Sequence, residues 1–108
     1  MIRVISKKII KDQSHIIKIN NYMMNLTNKA KLNKGYISSY HFWEYHELQD
    51  KMKYNLFTIS DWKNIDNWNN WLSSEDRYLI HNKNIDFIES LNHTVLIKKN
   101  DTFIDFLL

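Results

Sequence analysis

From Ile2 to Ile10 the chain reads Ile-Arg-Val-Ile-Ser-Lys-Lys-Ile-Ile, and its β-branched content and period near two predict a strand that starts at the N-terminus. Asp12 and Ser14 follow, and either can cap a helix by accepting from the unpaired amides of the first turn. Ile16, Ile19, Met23, Leu26 and Ala30 then recur at spacings of three and four, while Lys18, Asn25, Asn28 and Lys29 fall largely outside that stripe. This is the pattern of a helix that packs through one face. Leu32 is the last stripe residue, and Gly35, the one glycine in the chain, follows closely enough to end the helix in a left-handed turn.

Tyr36 to Tyr45 mixes aromatic and β-branched residues on both parities, which predicts a strand covered on both faces. The polar segment His46 to Lys53 is a connection, and Tyr54 to Trp62 reads as the next strand. Asn64 can cap a short helix with Ile65, Trp68 and Leu72 on one side. Ser73 and Ser74 interrupt it, and either can cap a second piece whose stripe is Tyr78, His81, Ile85 and Ile88. His93 to Lys99 is the last strand, and the apolar tail Thr102 to Leu108 suits a strand, a turn or an arm on a neighbour. The order β-α-β-β-α-β, with the second helix broken, is the ferredoxin-like arrangement of a single α+β domain spanning residues 1–108.

Helices in this arrangement cover one face of the sheet, so the other face should be polar. Tyr36, Tyr40, Phe42, Trp43, Tyr54, Leu56, Phe57 and Trp62 are too many large apolar groups for one face. A second copy packing its sheet on the first would bury the excess, and a cavity between sheet and helices would use it too.

Composition narrows the function classes. At 108 residues with 44% hydrophobic content the chain can build one core. Its net charge of +3 comes from interspersed Lys and Asp/Glu with no dense basic stripe, which argues against a nucleic-acid partner. No segment approaches the roughly 20 apolar residues of a membrane span, and no signal peptide opens the chain. Without cysteine there is no disulfide, thiolate metal site or cysteine nucleophile, and a cytoplasmic location fits. His41 and His46 lack a carboxylate at a ligand spacing, and no glycine-rich phosphate loop or nucleophile elbow occurs, so neither a metal pair nor those catalytic routes is expected.

The stretch from Ile59 to Arg77, Ile-Ser-Asp-Trp-Lys-Asn-Ile-Asp-Asn-Trp-Asn-Asn-Trp-Leu-Ser-Ser-Glu-Asp-Arg, resembles the signature of the antibiotic biosynthesis monooxygenase family, a strand ending in Trp, a short aromatic helix and a Ser-rich break. Met1 to Ile5 and the Gly35-Tyr36-Ile37 turn are similar to that family's first strand and helix-to-strand turn. The resemblance implies a dimeric α+β barrel with a pocket between the sheet and the helices of each subunit. It also implies one of three roles, an oxygenase of phenols or quinols that needs no cofactor, a haem-degrading enzyme, or a protein with no demonstrated activity.

Trp71 and His81 stand ten residues apart across the serine break, a spacing similar to the pocket Trp and axial His of the haem-degrading branch. Where that branch has an Asn on its first strand, this chain has Ser6 or Lys7. The first expectation is a cofactor-independent monooxygenase with His81 as base, Trp71 as wall, and Ser6, Tyr40, Trp62 and Tyr78 as substrate contacts. Haem held by His81 is the alternative, and a non-enzymatic homodimeric ligand-binding module is the third. For Trp62, Trp68 and Trp71, core or dimer packing is the structural reading that competes with a pocket role.

Overall fold

The chain, seen as a computed structural model, is described over residues 1–11, 13–44 and 54–98. Strand β1 (Ile2–Ile10) leads through a 3₁₀ turn (Gln13–His15) into helix α1 (Ile16–Ala30). Strands β2 (Tyr36–Trp43) and β3 (Tyr54–Trp62) follow, then helices α2 (Ile65–Leu72) and α3 (Glu75–Lys83). A second 3₁₀ turn (Ile85–Phe87) then enters strand β4 (Ile88–Ile97). The strands form one antiparallel sheet in the order β2-β3-β1-β4, the ferredoxin-like topology that the element order predicts. Among the described residues no helix is long and apolar enough to cross a membrane.

The alternation in β1 sends Ile2, Val4, Ser6, Lys8 and Ile10 toward the helices, and all five are buried. They divide the core in two. At one end Ile10 packs with Ile19, Tyr22, Met23, Leu56, Phe87 and Ile88. At the other, Ile2 and Val4 pack with Ala30, Trp62, Trp68 and Trp71. Ser6 and Lys8 fall between these clusters, so the middle of the sheet presents polar groups to the helices.

Gly35 adopts φ +85°, the left-handed turn its position predicts. A second constraint acts there, because a Cβ on Gly35 would overlap the side chain of buried Asn67 on α2. Asn64 caps α2 by accepting from the Asn67 amide at 2.9 Å, and Ser74 caps α3 by accepting from the Arg77 amide at 3.2 Å. Ser73 instead donates back to the Asn69 carbonyl at 2.9 Å, closing the end of α2.

Several boundaries differ from the sequence reading. Leu32 is not on the buried stripe but 79% exposed in the turn after α1, and Tyr22 takes a stripe position that its polar hydroxyl disguised. At the start of α1 the N-cap is His15 without a side-chain cap bond, because Ser14 lies inside the preceding 3₁₀ turn. Helix α3 buries no residue, its stripe ends at Lys83, and Ile85 is exposed while Ile88 already starts β4. The last strand therefore begins five residues before His93. Asp12, the segment His46 to Lys53 and the tail Thr102 to Leu108 lie outside the described residues.

The outer face of the sheet carries Tyr40 and Phe42 on β2, each more than half exposed, and Leu96 on β4. In register with the first two, β3 places half-buried Ile59 and Phe57. Of the eight aromatic and apolar groups singled out in these strands, Tyr40, Phe42 and Phe57 face this side, while Tyr36, Trp43, Tyr54, Leu56 and Trp62 face the helices. The outer face also holds a two-pronged ion pair, with Arg3 Nε donating to Asp61 Oδ1 at 2.8 Å and Arg3 Nη2 to Oδ2 at 3.0 Å.

Candidate functional site

Strand register builds the site. His41 on β2 lies opposite Thr58 on β3, Thr58 opposite Ser6 on β1, and Ser6 opposite His93 on β4. One transverse row across all four strands is thus His, Thr, Ser, His, pointing at the helices where a core would place aliphatic groups. In β2 this depends on a bulge between Tyr36 and Ser38. The extra residue switches the inward parity from Tyr36 to Ser39 and His41, and turns Tyr40 outward.

Above this row a cavity of about 490 Å³, counting its opening to solvent, lies between sheet and helices. Trp62, Trp68 and Trp71 wall one end, all at most 5% exposed. Trp62 stacks on Trp71 with ring centroids 6.5 Å apart and meets Trp68 edge-on at 5.9 Å. Its indole N–H donates to Ser60 Oγ at 3.1 Å. This fixed aromatic wall gives a flat ligand an apolar surface to lie against.

The polar side is wired by directional hydrogen bonds. Arg77 Nη2 on α3 lies 3.2 Å from His93 Nε2, and Ser6 Oγ lies 2.7 Å from His93 Nδ1. A guanidinium only donates, so Nε2 must accept and Nδ1 must carry the ring proton. His93 therefore donates to Ser6, whose own hydroxyl proton is left to donate into the cavity. Burial, reinforced by the charges of Arg77, Lys8 and His81, holds His93 at about 4, which keeps it neutral at pH 7.

Lys8 is the second cation. Its side chain is 5% exposed, and its ammonium lies 5.8 Å from the centroid of the Tyr22 ring. Burial pushes it down to about 8, and the charge of Arg77 acts in the same direction. Tyr22 is pushed up to about 12 by burial and stays a neutral phenol. Its hydroxyl lies 3.0 Å from His81 Nδ1. His81 is shifted down by burial and then by Arg77 and Lys8. His41 is clamped between Thr27 Oγ1 of α1 and Thr58 Oγ1 of β3, each at 2.8 Å.

Of the residues singled out in the sequence, Ser6, Trp62 and Trp71 come together on the cavity wall. His81 does not line it and reaches it only through Tyr22. Tyr40 and Tyr78 are 59% and 62% exposed and lie away from it, Tyr40 because of the bulge and Tyr78 because it points off the solvent side of α3. Lys8, Tyr22, Arg77, His93 and His41 were missed. The spacing of four between Arg77 and His81 puts both on one helix face, a polar signal that an apolar stripe does not carry.

Haem iron needs an imidazole nitrogen with its lone pair open to the cavity. Both nitrogens of His93 and both of His41 are already hydrogen-bonded, and His81 lies behind Tyr22. Among the described residues, the histidines at and beside the cavity do not fit an axially ligated haem. Among the described residues no group of three metal-ligating side chains occurs either.

No family model matches the sequence, and no curated protein matches it. Solved structures do match in fold. SnoaB, a cofactor-independent oxygenase from Streptomyces nogalater, aligns with a TM-score of 0.69 at 9% identity, covering 92% of this chain and 93% of that one. A structure described as an antibiotic biosynthesis monooxygenase aligns at 0.66 with 16% identity, covering 92% and 97%. A conserved protein from Methanosarcina mazei Go1 aligns at 0.67 with 15% identity, covering 92% and 95%. Over nearly its whole length, the chain therefore has the fold of antibiotic biosynthesis monooxygenase structures.

Proposed function

We propose that this protein is a cofactor-independent monooxygenase acting on a small phenol- or quinol-type aromatic; SnoaB, which shares the fold, is described as a cofactor-independent oxygenase. The observation that carries the reading is the cavity itself, walled by three fixed indoles and floored by a row of hydrogen-bonding groups. A substrate ring lies against Trp62, Trp68 and Trp71, and its hydroxyl accepts from Ser6, which His93 holds in place. Lys8, held down to about 8 by burial, is still an ammonium at pH 7 and pairs with the phenolate oxygen, whose proton leaves to water. The phenolate then supplies the electrons. Its para carbon bonds to dioxygen, the O–O bond breaks, one oxygen stays as the second carbonyl and the other leaves as water, so phenol and dioxygen give quinone and water. The protein's part is to hold the anion dry and oriented. His81 acts through Tyr22 as a positioning residue.

A homodimer completes the reading. The outer face with Tyr40, Phe42 and Leu96 supports it, because a second sheet would cover these groups. A cysteine-free chain suits a reducing, cytoplasmic setting. The test is oxygen uptake on a panel of 1-naphthols with an open para carbon, with quinone followed by absorbance. Uptake matched by quinone formation and lowered at least tenfold in Ser6→Ala is expected. Uptake no faster than in buffer would leave a ligand-binding protein without this activity.

A further inference from the structure

The cavity holds positive charge that no described group balances. Lys8 and Arg77 both line it, and no carboxylate of the described residues does. Arg77 spends its hydrogen bonds on neutral acceptors, the Leu72 carbonyl at 3.3 Å and the His93 ring at 3.2 Å. Lys8 meets the face of Tyr22, a neutral ring. At neutral pH the charges acting on His41, His81 and His93 are those of Lys8 and Arg77, both positive. Asp61 on β3 faces the other side of the sheet and is engaged by Arg3.

Buried cations are ordinarily paired, because an isolated charge taken out of water is strongly disfavoured. A site with one buried cation, Lys8, one half-buried cation, Arg77, a hydroxyl donor from Ser6, and three indoles opposite matches one ligand chemistry. We infer that the cavity binds its aromatic ligand as an oxyanion, the negative oxygen held by Lys8 and Arg77 and the ring held by Trp62, Trp68 and Trp71. Lys8 and Arg77 are then specificity-determining residues, which select an acidic aromatic over a neutral one of the same shape. The inference deepens the oxygenase reading by naming the charge state of its substrate, yet it concerns binding and does not need turnover.

The oxyanion can be a ring carboxylate or a phenolate, and titration calorimetry with three naphthalene probes separates them. Wild-type protein is expected to bind 2-naphthoate at least tenfold more tightly than 2-naphthamide, its neutral counterpart. Lys8→Met should abolish that preference, while Lys8→Arg, which keeps the charge, should retain part of it. The third probe, 2-naphthol, changes absorbance on ionisation. A bound naphtholate spectrum below the probe's own solution pKa assigns the phenolate source, and tight naphthoate binding without it assigns the carboxylate. Equal affinity of wild-type protein for naphthoate and naphthamide, with no naphtholate signal, would overturn the inference even if every variant failed to fold. Lys8-dependent naphthoate binding without oxygen uptake would sink the oxygenase reading alone, and uptake with no charge preference would sink this one alone.

Discussion

Replacing Lys8 with Met should make the protein more stable, and by an amount that depends on pH. Met matches the aliphatic stem and removes a charge that the fold buries without a counter-ion. Lowering an ammonium from 10.5 to about 8 costs about 3 kcal/mol at neutral pH, taking about 1.4 kcal/mol per pKa unit. The sign follows from proton counting. Between about 8 and 10.5 the unfolded chain binds more protons at Lys8 than the native chain does, so this cost fades as pH rises. The advantage of Lys8→Met should be about 2–3 kcal/mol at pH 7 and fall to about 1 kcal/mol by pH 10. For a domain of this size each kcal/mol moves Tm by roughly 4–8 °C. Urea unfolding of both proteins at the same concentration, at pH 7 and pH 10, measures the gap. The rise in the Tyr22 value to about 12 affects both proteins alike and cancels in the difference. A variant no more stable than wild type at pH 7, or a gap that does not narrow with pH, would refute the claim that Lys8 is an uncompensated buried cation.

Gly35→Ala should destabilise by about 2–5 kcal/mol, combining the left-handed backbone penalty with overlap on Asn67. Adding Asn67→Ala should recover only the overlap, and full recovery in thermal unfolding would show that the backbone is unstrained. Ser6→Ala leaves the His93 Nδ1–H without its acceptor and should cost about 1–3 kcal/mol in chemical denaturation, while no change would mean that water replaces the hydroxyl. Asp61 is held below the ordinary carboxylate value, first by its hydrogen bonds from Arg3, so its stabilisation is present above that value and is lost as pH falls through the lower one. Asp61→Asn should therefore flatten the acid limb of the stability curve, and an unchanged limb would contradict the pairing. Phe42→Lys should shift sedimentation from dimer to monomer, and a wild type that sediments as a monomer at micromolar concentration would remove the dimer from the proposal.

Much of the scaffold is legible in the sequence because local rules and tertiary demands agree there. The nine-residue alternation of β1, the strand ending at Trp62 and the cap at Asn64 are each stated by neighbouring residues. The site is less legible for three physical reasons. A lysine on a strand reads as solvent-facing, so Lys8 is invisible until register shows its parity to be inward. The bulge at Ile37 inserts one residue and reverses the faces of β2, which moves His41 in and Tyr40 out. The start of β4 is built from Glu89, Ser90 and Asn92, poor strand formers, so His93 looked like the beginning of a strand and not its middle. Trp62 and Trp71 were found because aromatic side chains mark a wall whichever way the chain arrives.

His41 has a consequence of its own. Its ring, tethered to Thr27 and Thr58, is shared by the internal cavity and by a groove that runs outside between α1 and β2 toward Trp43. Met23, Thr27 and Ser39 border both hollows beside it, so four side chains form the partition. A guest longer than the cavity has to displace that partition, and His41 would give up two hydroxyl partners to let it through.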